Sequence, residues 1–101
     1  MSWRLFYYDE VALDVRETKN WCRQQQIGLD KRFADDVKQC IMRIQKNPEH
    51  YEVRYKDVRL AHCETFPYSI HFYLNSAEKQ IVIIAIVHQH RDPSVAKSRD
   101  W

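Results

Sequence analysis

The sequence predicts an α+β fold, a two-layer domain in the order β-α-α-β-β-β with an αα-hairpin packed on a mainly antiparallel sheet. Three observations predict it. Phe33, Val37, Cys40, Ile41 and Ile44 recur at helical spacing and form one apolar stripe. Tyr68, Ile70, Phe72 and Leu74 alternate with Ser69, His71 and Tyr73, the pattern of a half-buried strand. Ile81 to Val87 is apolar at every position, as expected of a strand covered on both faces.

Taken in order, Trp3 to Tyr8 is aromatic-rich and lacks a helix start, so it reads as a strand. Asp9 stands where a helix N-cap belongs, because its carboxylate can accept from the orphan N–H groups of the next turn. Val11, Ala12, Val15, Trp21 and Cys22 then make a helical stripe, opposite a charged, solvated face of Asp14, Arg16, Glu17, Lys19 and Arg23. Gly28 ends this helix, since glycine takes a left-handed cap without steric penalty. The second helix follows Asp30 and stops at Asn47-Pro48, because a residue preceding proline avoids the helical region. Two such helices joined by a few residues form an antiparallel hairpin whose stripes must be buried on the sheet. Pro48 to Val53 reads as a surface loop, Arg54 to Glu64 as one strand, Glu64-Thr65 as a turn, and Asn75 to Lys79 as the turn before the last strand.

A chain of 101 residues accommodates one core, so residues 1–101 are expected to form a single domain. With 45% hydrophobic and 30% charged residues, composition excludes a disordered class, and one glycine leaves little room for flexible linkers. No apolar run reaches the ~18 residues a membrane helix needs, and the N-terminal stretch does not read as a signal peptide. The expectation is therefore a cytoplasmic protein without a membrane partner. Cys22, Cys40 and Cys63 are widely spaced and odd in number, which fits reduced, buried thiols.

Net charge is only +2, so the distribution matters more than the sum. Arg54, Lys56, Arg59, His62, His71, His88, His90 and Arg91 all fall in the second half, interleaved with Asp57, Glu64 and Asp92. They form either a solvated mixed surface or a basic patch that positions phosphates, with Tyr55 and Tyr73 available for stacking. RNA cleavage needs a base for the 2′-OH, cations for the phosphorane and an acid for the leaving oxygen. His71, His88, His90, Arg91 and Arg59 carry those chemistries, histidine because it exchanges protons near neutrality. His88, His90 and Asp92 alternate on one strand face, yet they lack a fourth ligand at fixed spacing, so neither a metal site nor a cofactor is expected.

The ordered set Ala12, Val15, Trp21, Gly28-Leu29, Phe33, Ile41, Ile44, Asn47-Pro48 and Tyr51, then Arg59, Phe66-Pro67-Tyr68-Ser69-Ile70 and Ala85 to Pro93, resembles the RelE/ParE superfamily, the toxins of type II toxin–antitoxin systems. The resemblance covers almost the whole chain. It implies a growth-inhibiting toxin held silent by a cognate antitoxin. It also implies one of two targets: DNA gyrase, as for ParE-type members, or ribosome-bound mRNA, cut by RelE-type endoribonucleases. The ribonuclease branch typically carries a tyrosine in the tail. Here the tail after Pro93 reads SVAKSRDW, and the reading leans to gyrase. If the chain is an enzyme, His71, His88, His90 and Arg91 would be catalytic, with Arg54, Lys56, Arg59 and Tyr68 contacting target or RNA. A third reading is a non-catalytic protein-interaction module.

Overall fold

The structure, a computed structural model, describes residues 3–89. His90, Arg91 and Asp92, singled out above, lie outside the described residues. Strand β1 is Arg4–Tyr7, followed by helix α1, Asp9–Gln25, and helix α2, Leu29–Lys46. A 3-10 turn at Pro48–His50 leads into β2, Val53–Tyr55, then β3, Val58–His62, β4, Tyr68–Asn75, and β5, Gln80–His88. Among the described residues these form a five-stranded sheet in the order β1-β5-β4-β3-β2. β1 runs parallel to β5 and the other pairs are antiparallel. The expected α+β architecture, with an αα-hairpin on one sheet face, is therefore the one observed.

The α2 stripe is built as its spacing demands. Phe33, Val37, Cys40 and Ile44 are buried, and Ile41 packs against them half-buried. Phe33 meets Phe66 and Tyr68 edge to face, with ring centroids 5.5 and 5.1 Å apart, the arrangement aromatic quadrupoles favour. In α1 the core side is narrower than expected. Val11 and Cys22 are buried and Val15 is half-buried, but Ala12 is exposed and Trp21 is 57% exposed.

Several local readings are corrected. Asp9 is the first helical residue of α1; Tyr8, extended at φ −69° and ψ 150°, holds the cap position with no side-chain bond. Asp9 and Glu10 act instead through their charge at the positive end of the helix. Gly28 is left-handed, with φ 87°, but it precedes α2 rather than ending α1, which closes on an extended Gln26. A Cβ at Gly28 would meet nothing within 4 Å, so backbone conformation alone selects glycine there. Across this turn the Arg23 guanidinium donates to Asp30 Oδ2 from Nη2 at 3.1 Å and Nε at 3.3 Å. That bond holds the Asp30 carboxyl below the ordinary carboxylate range.

The stretch Arg54 to Glu64 is not one strand but a hairpin, β2 and β3, turning at Lys56-Asp57 with Lys56 at φ 47°. No Asn-Gly or Asp-Gly announces this turn, because a lysine takes the left-handed position. β4 is buried on both faces rather than half-buried: Ser69 and His71 are 3% and 5% exposed. The cause lies in β5. Opposite His71 and Phe72 the register runs Ala85 then Ile83, leaving Ile84 as a bulge. Ile81, Ile83 and Ile86 join the core under the helices, while Val82, Ile84, Ala85 and Val87 join Val58 in a second cluster on the far face. An apolar residue at every position of β5 thus serves two cores.

Two buried or half-buried acids on the helices bind the backbone beneath them. Asp36 accepts from Thr65 N at 3.2 Å and Phe66 N at 2.8 Å, fastening the 64–67 loop to α2. Asp14, expected to be solvated, accepts from Ile86 N at 3.0 Å and fastens α1 to β5.

Candidate functional site

Functional side chains gather where β3, β4 and β5 reach the end of the sheet marked by His62, Tyr68 and His88. His62 pairs with Ser69 across β3 and β4, and Tyr68 pairs with His88 across β4 and β5. On the far face, His62 Nδ1 and Ser69 Oγ share a hydrogen bond of 2.7 Å. His71 Nδ1 and Tyr55 Oη share one of 2.9 Å. Leu60, His62, Ser69, His71, Val87, His88 and Gln89 border a small cavity of about 150 Å³. Three imidazoles and a serine hydroxyl around one cavity can bind an oxyanion or pass protons.

On the helix side of the same strand end lies a wider groove of about 690 Å³, between α1 and the end of β5. Asp14, Glu17 and Trp21 rim it from the helix, and Phe66, Pro67, Tyr68 and Ile86 form its floor. Tyr68 is nearly covered, set between Phe33 and His88 with ring centroids 5.1 Å from each. His88 borders both cavities.

The structure thus brings His71, His88 and Tyr68 to one end of the sheet. It places the other described candidates elsewhere. Arg59 donates from Nη1 to the carbonyls of Tyr51, at 2.7 Å, and Glu49, at 3.1 Å, tying β3 to the 3-10 turn. Arg54 and Lys56 are exposed on β2 and its turn, at the sheet edge farthest from β1. His62 and Ser69 were not singled out as site residues from the sequence. Their pairing depends on the register between β3 and β4, which a strand pattern does not specify without its turn.

Among the described residues no group of three or more His, Cys, Asp or Glu side chains is placed to hold a metal ion. Cys22, Cys40 and Cys63 are buried free thiols. Burial, with the Asp30 charge behind it, pushes the Cys22 thiol up, and its hydrogen-bonded neighbour Cys40 together with burial does the same to Cys63. The Cys22 and Cys63 sulfurs are thus held as thiols, while the hydrogen bond from Cys63 shifts Cys40 the opposite way, downward. No helix among the described residues is long and apolar enough to cross a membrane.

The chain is similar to known toxins. The family model described as the ParE toxin of the type II toxin–antitoxin system, parDE, matches residues 5–93. Among solved structures, the chromosomal ParDE TA system from P. aeruginosa superposes with a TM-score of 0.73 at 18% identity, covering 85% of this chain and 95% of that one. The isolated E. coli RelE toxin superposes with a TM-score of 0.62 at 12% identity, covering 95% and 94%. At such identities the two structures speak for the fold. No curated protein matches this sequence.

Proposed function

The chain belongs to the ParE toxin family of type II toxin–antitoxin systems, and from that premise we propose that it arrests growth in the cytoplasm by acting on DNA gyrase and is neutralised by a cognate antitoxin. The family match over residues 5–93 carries this reading. Site geometry supports action by binding. His71 is buried against Tyr55, and the Arg59 guanidinium is engaged with backbone carbonyls. The large groove beside Trp21 has the dimensions of a recognition surface.

The test is expression of the gene alone and together with the small open reading frame beside it. Growth arrest by the toxin alone, relieved by the neighbour, is the expected result. No arrest at any induction level removes the reading.

A RelE-like ribonuclease is a second reading, favoured by the cavity that joins His62, Ser69, His71 and His88. In that reading His71, His88, His90 and Arg91 move protons and stabilise charge, and Arg54, Lys56, Arg59 and Tyr68 contact the message. Cleaved transcripts in toxin-expressing cells that vanish with His88→Ala would favour it over gyrase.

A further inference from the structure

We propose that Cys40 and Cys63 form a site of reversible oxidation, at which a hydroperoxide joins the two sulfurs in a disulfide that clamps α2 to the end of β3. The proposal goes beyond the toxin reading and does not depend on which target the chain acts on.

Sequence and topology bring the two thiols together. Cys40 lies in the apolar stripe of α2, between Val37 and Ile44, and is fully buried. Cys63 follows β3, and the alternation that turns Ala61 toward the helices turns Cys63 the same way. Its backbone is fixed there, since Cys63 N donates to the Tyr68 carbonyl at 2.8 Å. The Cys40 thiol donates to the carbonyl of His62, the neighbour of Cys63, at 3.8 Å. The two thiols also share a hydrogen bond. Sulfurs already within hydrogen-bond reach need only a small approach to attain the ~2.05 Å of a disulfide.

The surroundings divide the roles. The hydrogen bond from Cys63, with the Arg43 guanidinium one turn further along α2, moves the Cys40 thiol down against the effect of burial. Donating that bond moves Cys63 up. Cys40 is thus the attacking sulfur and Cys63 the resolving one. When Cys40 attacks a peroxide oxygen, an S–O bond forms and the O–O bond breaks. The departing alkoxide or hydroxide takes up the proton that Cys40 gave up. Cys63 then attacks the sulfenic acid: the S–S bond forms, the S–O bond breaks, and the oxygen leaves as water with the Cys63 proton. The peroxide gains the two electrons that the sulfurs lose, and a dithiol returns them. A polar cleft of about 390 Å³ lies over the pair, bordered by Asp36, Gln39 and Arg43 around Cys40 and by Glu64 and Thr65 directly after Cys63. Cys22 lacks this setting, because burial and the Asp30 charge both oppose its thiolate.

The test treats the reduced, full-length protein with hydrogen peroxide under native conditions, alkylates the remaining thiols and maps the product by mass spectrometry. The expected product is a monomer with the Cys40 and Cys63 peptides joined and Cys22 alkylated, and a dithiol reductant restores the starting protein. Its melting temperature should rise by about 10 °C, because the bond closes the loop between α2 and β3. Arg43→Gln, a half-exposed substitution, should slow the reaction about threefold while joining the same pair. Cys63→Ser leaves Cys40 without a resolving thiol and should accumulate a sulfenic acid that dimedone traps at Cys40. A bond that joins two copies overturns the proposal, as does oxidation of Cys22 at the same rate as Cys40. So do an unchanged rate in Arg43→Gln, a melting temperature that does not rise, and the absence of any Cys40–Cys63 bond while the fold is intact. The assay contains neither gyrase nor cells, so its failure leaves the growth-arrest test untouched.

Discussion

Replacing Asp36 by alanine removes the carboxylate that binds the backbone amides of the 64–67 loop from α2, leaving the Arg43–Glu64 ion pair at 3.0 Å and the Phe33–Phe66 contact in place, and its consequence can be worked out. The carboxylate is 8% exposed and accepts from two amides, Phe66 N at 2.8 Å and Thr65 N shared between both oxygens at 3.2 Å. A hydrogen bond to a charged group contributes about 1.5–3 kcal/mol when its loss leaves the partner unsatisfied. The bifurcated Thr65 bond belongs at the low end. Thr65 is exposed and Phe66 half-buried, so water can replace part of what is lost. The expected destabilisation is about 2 kcal/mol. With a urea slope of about 1.5 kcal/mol/M for a small domain, the unfolding midpoint should fall by roughly 1.3 M. Asp36→Asn keeps one acceptor oxygen without the charge, and should lose about half as much. Urea titrations followed by circular dichroism and by tryptophan fluorescence measure both variants and check two-state behaviour. An unchanged midpoint for Asp36→Ala would refute the reasoning, for it would mean the two amides are as well served by water as by the carboxylate.

Three further outcomes follow from contacts of the same kind. Arg59→Ala should destabilise the fold by about 1–3 kcal/mol, because two carbonyls of the 49–51 segment lose their charged donor, and a thermal melt reads this directly. Asp14→Ala should accelerate hydrogen exchange at the Ile86 amide by about tenfold or more while the centre of β4 stays protected. Asp30 carries a pKa lowered in the folded state by the Arg23 bond, so its stabilisation is present above the ordinary carboxylate pKa and lost as pH falls through the folded value. Asp30→Asn should accordingly lower the denaturation midpoint at neutral pH, and the deficit should close on acidification; a deficit that is constant with pH would assign the effect to something other than this ion pair.

The parts of the fold legible in the sequence are those where one periodicity has one cause. Phe33, Val37, Cys40 and Ile44 recur at helical spacing because α2 buries a single stripe, and Ile81 to Val87 is apolar throughout because β5 has a core on each side. What was hidden depends on tertiary partners. Asp14 and Asp36 look like solvated helix charges until β5 and the 64–67 loop arrive beneath them. The β2–β3 hairpin carries no turn signal in the sequence because its left-handed position holds Lys56 in place of glycine or asparagine. Gly28 signals a left-handed residue but not which helix it serves, since a tight helix–helix turn puts both ends within a few residues. At the site, His71 within β4 and His88 at the end of β5 are visible in the sequence as strand histidines, whereas His62 and Ser69 require the register that sets them opposite each other. Arg59 looked like a free phosphate contact, and its two backbone acceptors come from a segment eight to ten residues upstream.

The most direct test of the central claim is plasmid supercoiling by purified gyrase with and without the purified protein. The account predicts that supercoiling stops as the protein is added and resumes when the cognate antitoxin is supplied. Full gyrase activity at every protein concentration, together with cutting of messages in a translating extract, would contradict it and give the chain to the ribonuclease branch.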